Sequence, residues 1–78
     1  MSDPNEIRSL KAAVLGAMET SASLAELNPR VQAIEDGGDV SPEDLDNLAR
    51  VTAAHAIASA ALRGLVNTMR TRREAATT

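Results

Sequence analysis

His55 is the only histidine, and hydroxyls stand at helical distance from it: Thr52 three residues before and Ser59 four after. A histidine beside a serine is the start of a nucleophilic pair, in which the ring takes the hydroxyl proton as a carbonyl is attacked. A working triad also needs an acid to orient the ring, a strained turn for the nucleophile and donors for the oxyanion. The sequence carries no nucleophile-turn or oxyanion-loop motif. With Ser21 expected opposite, the plainer reading is a polar layer of Ser21, Thr52, His55 and Ser59 inside a helix interface, where such a layer fixes register and pairing. A pH-sensitive layer is the sharper alternative. No catalytic residue is assigned, and an enzyme is not expected.

A second group is acidic. Glu35, Asp36, Asp39, Glu43, Asp44 and Asp46 fall in one short stretch without a base. A calcium loop requires ligands at alternate positions, a glycine at the sixth and a bidentate Glu at the end. Gly37 and Gly38 come too early for any register of that template. A solvated turn, with acids matched to the positive end of the following helix, accounts for the run. No metal or cofactor is expected.

The third group is basic: Arg63, Arg70, Arg72 and Arg73, with Arg8 and Lys11 near the start of the chain. Such a cluster can contact phosphate backbones. Against that stand a net charge of −3, no aromatic residue to stack on bases and no helix-turn-helix spacing. Arginines at a helix C-terminus also complement the helix dipole. Nucleic-acid contact through Arg63, Arg70, Arg72 and Arg73 is therefore the alternative reading, not the first.

The elements that must position these groups are helices. Ser41 is a good N-cap, Pro42 suits the first helical position, and Glu43, Asp44 and Asp46 follow at the positive end. The helix this starts is expected over residues 42–73. Leu45, Leu48, Thr52, His55, Ser59, Leu62, Val66 and Met69 follow the alternating three-four spacing of one seam, with Val51, Ala58 and Leu65 as a line beside it. Asp3-Pro4-Asn5-Glu6 repeats the capping logic and opens a helix expected over 4–27. Its seam is Ile7, Leu10, Val14, Ala17, Ser21 and Leu24. Pro29 interrupts the pattern, and a separate or sharply bent segment over 29–36 is preferred to a kinked continuation. Gly37 and Gly38 end it, one of them available for the left-handed position after a helix. Residues 1–3 are expected to form a loose tip and 74–78 a frayed tail.

Seventy-eight residues without cysteine or aromatics must build one small domain from Leu, Ile, Val, Met and Ala alone. A chain of this size buries only about 60% of its surface. A short turn between long amphipathic helices makes them antiparallel neighbours, with residues whose numbers sum to about 77 facing each other. The expected fold is all-α: an antiparallel hairpin of two long helices, with a short extra segment before the turn. Leu15, Met18, Val51, Ile57 and Leu65 would stay partly wet, and pairing two hairpins into a four-helix bundle would cover them. The expected partner is a second copy, or else another helical protein. An acidic N-terminus without an apolar leader, and no long apolar run, point to a cytoplasmic protein without a membrane partner. A composition rich in Ala, Arg, Asp and Thr and poor in Lys fits a GC-rich bacterial or phage genome. The function these readings favour is a small interaction protein: an adaptor, inhibitor or assembly factor acting through its helix faces.

Overall fold

A computed structural model describes residues 3–77; Met1, Ser2 and Thr78, parts of the expected loose tip and tail, lie outside it. Two helices, α1 (Pro4–Gln32) and α2 (Pro42–Thr77), pack on each other as an antiparallel hairpin. At about 1.5 Å per residue the longer one runs roughly 54 Å, and the hairpin measures 58 × 21 × 16 Å. Among the described residues no helix is long and apolar enough to cross a membrane.

Both helix starts follow from their caps. Asp3 is extended, its Oδ1 accepts the Asn5 N–H at 2.9 Å, and its carbonyl accepts the Ile7 N–H at 3.1 Å. Ser41 Oγ accepts the Asp44 N–H at 3.1 Å and the Ser41 carbonyl accepts the Leu45 N–H at 3.0 Å. These bonds satisfy donors that the first turn of a helix leaves without partners.

Three expectations are corrected. First, there is no separate segment at 29–36: α1 runs through Pro29 and stops at Gln32. The proline removes one backbone donor, yet the turn beyond it closes normally, with the Ala33 N–H on the Pro29 carbonyl at 3.1 Å. Leu24, Leu27, Val31 and Ile34 keep their three-four spacing across the proline, and the Arg30 side chain just beyond it reaches Asp44 on α2. Second, no glycine among the described residues has a positive φ. The chain turns through an Ile34 N–H to Val31 carbonyl bond and a Gly38 N–H to Glu35 carbonyl bond of 2.8 Å. Gly38 makes the close approach of this turn: a Cβ there would sit 3.2 Å from the Glu35 oxygen, tighter than ordinary van der Waals contact. Third, α2 continues to Thr77 rather than fraying after Arg73.

The seam between the helices is a line of half-buried residues. On α1 it holds Leu10, Ala13, Ala17, Thr20, Leu24 and Leu27; on α2 it holds Leu48, Val51, His55, Ala58, Leu62, Leu65 and Met69. Each alternates three and four, as the a and d positions of a heptad do. None of the described side chains is fully buried. Two helices can cover only one stripe of each other, so every seam residue keeps an open edge.

Candidate functional site

Polar contacts cross the hairpin at its two ends and in its middle. Glu6 on α1 pairs with Arg72 on α2 beside the chain ends. Arg30 Nε lies 2.9 Å from Asp44 Oδ1 next to the turn. Between them Thr20 Oγ1 and His55 Nδ1 are 2.8 Å apart. The residue numbers of these pairs sum to 78, 74 and 75, close to the register that the turn implied. Both ion pairs have an arginine 62% exposed, so each contributes little stability and mainly fixes alignment.

The polar layer is real but its members differ from the expected set. His55 is half-buried in the seam, and Ser59 Oγ lies 3.4 Å from its Nε2, a long contact. The residue opposite is Thr20; Ser21 is exposed. Thr52 is exposed too, its hydroxyl donating back to the Leu48 carbonyl at 2.7 Å. Both displacements have one cause. The sequence offers two apolar lines beside the a positions, one three residues on and one four residues on. Helix packing took the first, placing Thr20, Val51, Ala58 and Leu65 inside and leaving the second at the flank.

A proton count shows what the layer can do. Thr20 Oγ1 is also 2.9 Å from the Gly16 carbonyl and 3.1 Å from that of Ala17. If its one proton goes to a carbonyl, His55 Nδ1–H donates to Thr20 and Ser59 donates to Nε2. If the proton goes to Nδ1, the Nε2–H donates to Ser59. A doubly protonated ring donates to both. Every form of the ring can keep its two hydroxyl partners. Hydroxyls meet both nitrogens, which leaves neither one held by an orienting carboxylate.

The acidic turn and the arginine end lie at opposite poles of the rod. Among the described residues no three His, Cys, Asp or Glu side chains are grouped to hold a metal ion. Asp44 is engaged by Arg30, and Arg72 by Glu6. Arg63, Arg70 and Arg73 are exposed. A shallow depression beside them, lined by Asn67, Thr68, Thr71, Arg72 and Ala75, lies on α2 alone and is open to solvent.

The expected interface residues divide. Val51 and Leu65 belong to the seam between the two helices of one chain. Leu15, Met18 and Ile57 are 57%, 61% and 73% exposed, on three different aspects of the hairpin. Met18 is on the flank shared with Ile7 and Val14, Leu15 is on the outer back of α1, and Ile57 is on the far flank of α2. Reading the sequence missed that Ile7, Val14, Leu45 and Val66 also remain exposed. Their seven-residue spacing, Ile7 to Val14 and Leu45 to Val66 through Thr52 and Ser59, was the available signal. In an antiparallel pair these two lines fall on the same side. One flank of the hairpin is therefore an apolar strip built from both helices. No family model, curated protein or solved structure matches this chain.

Proposed function

We propose that this chain is a small non-enzymatic interaction module, an adaptor, inhibitor or assembly factor, that self-associates through the apolar flank of its hairpin. The observation that carries the reading is surface. The chain exposes 6190 Å², whereas a compact monomer of its 8.2 kDa mass would expose about 4,500 Å². The excess is roughly twice the ~800 Å² that each partner covers in a standard interface. Among the described residues nine large apolar side chains are exposed, and they favour a covered state over an isolated hairpin. A four-helix bundle of two hairpins is the ordinary way to cover such flanks.

The test is absolute mass by light scattering on a sizing column over a dilution series. Twice the 8.2 kDa chain mass is expected at high concentration, falling to a single chain on dilution. Met18→Glu should shift that transition to higher concentration while helix content by circular dichroism is unchanged. A well-folded single chain at every concentration refutes self-association.

Nucleic-acid contact through Arg63, Arg70, Arg72 and Arg73 is weighed by the same samples. That reading requires binding to a duplex whose affinity falls steeply with salt and is lost on neutralising the arginines. Retention of Arg72 by Glu6 counts against it.

A further inference from the structure

We infer that the second copy docks antiparallel on the flank carrying Ile7, Val14, Met18, Leu45 and Val66, with the acidic turn of each protomer against the arginine end of the other. The inference rests on the self-association proposed above and adds its face and direction. Among the described residues five of the nine exposed large apolar side chains lie on this flank. The opposite flank is made mostly of small or polar residues, Ser9, Ala12, Gly16 and Ser23 on α1 and Ala54 and Ala61 on α2, with Ile57 its one large apolar member.

Charge sets the direction. Dividing the hairpin at the Thr20–His55 contact, residues 20–55 hold seven acids and two bases, a net of −5. The remaining residues hold four acids and six bases, a net of +2, and together these give the −3 of the chain. A parallel pair would set the two acidic turns side by side. An antiparallel two-fold pair sets each turn beside the partner's basic end, and the contact is made twice by symmetry. The levels also agree. Arg70 lies fifteen residues beyond His55 on α2, about 22 Å along the helix. The same distance on the other side of the centre is the level of the turn, where Glu35, Asp36 and Asp39 stand exposed. Arg63 and Arg70 belong to the line next to Thr52, Ser59 and Val66, so they border the same flank.

The chain has no cysteine, which makes a single introduced one a unique attachment point for a nitroxide spin label. Gly37→Cys marks the turn, where a Cβ meets nothing within 4 Å. Ser21→Cys marks the centre of the docking flank, where the native side chain is exposed. Pulsed dipolar spectroscopy on the full chain at dimer concentration should give a turn-to-turn distance approaching the 58 Å length of the hairpin. The Ser21 labels should lie within about 25 Å of each other, since packed helices are about 8–10 Å apart. Arg70→Glu should loosen the dimer about tenfold, and adding Asp39→Arg should recover most of that loss.

A turn-to-turn distance near 20 Å overturns the direction while leaving self-association standing. A Ser21 separation beyond about 30 Å overturns the flank. A single chain at all concentrations removes the self-association reading, and this inference with it.

Discussion

Gly16 and Gly64 offer the most quantitative check on the hairpin. Both lie inside helices, and an ideal Cβ at either meets nothing within 4 Å. Each should therefore accept alanine without a steric term. Glycine in a helix interior is less favourable than alanine by about 1 kcal/mol, because its backbone loses more freedom on folding. The two sites are independent, so Gly16→Ala with Gly64→Ala should gain about 2 kcal/mol. For a domain of this size each kcal/mol moves the midpoint by about 4–8 °C, so the double variant should melt roughly 8–16 °C higher. Both native carbonyls keep their Thr partners, Thr20 and Thr68, at 2.9 Å, so no side-chain bond is lost. The assay is thermal unfolding followed by circular dichroism at fixed protein concentration, because association makes the midpoint concentration-dependent. Gly16 and Gly64 face away from the proposed docking flank, and the dimer constant should not change. A lower midpoint, or a weakened dimer, would mean that a helix packs closely on the glycine flank, and the reasoning about open space there would be wrong.

Pro29→Ala restores a missing backbone donor in a helix that is already continuous, and should stabilise by about 1–3 kcal/mol in urea titrations. Thr20→Val removes the partner of His55 Nδ1 and should cost about 1 kcal/mol, whereas Ser21→Ala, at an exposed position, should fall within about 0.5 kcal/mol of the parent. Equal effects at positions 20 and 21 would put the register in error. Glu6→Gln removes an ion pair whose arginine is exposed and should cost less than about 1 kcal/mol, with most of the difference lost in molar salt.

Much of this architecture was legible from local chemistry. Asp3-Pro4 and Ser41-Pro42 are start signals whose hydrogen bonds are made within the first turn, so no distant contact is needed to place them. The antiparallel pairing follows from a short connection between two long amphipathic helices. Pro29 was misjudged because its local cost is certain while its compensation is not local. Arg30, the next residue, reaches Asp44 on the other helix.

The seam register shows most clearly where sequence stops. In both helices the apolar a positions are flanked by two further lines, and a periodicity analysis finds three-four spacing with either. The sequence by itself determined the helix starts, their caps, their order and the poles of charge, because these depend on interactions within a few residues. Only the tertiary structure decided which line faces inward, because that depends on how the two surfaces mesh. The line left out, with Ile7, Val14, Leu45 and Val66, becomes the surface through which this chain is proposed to act.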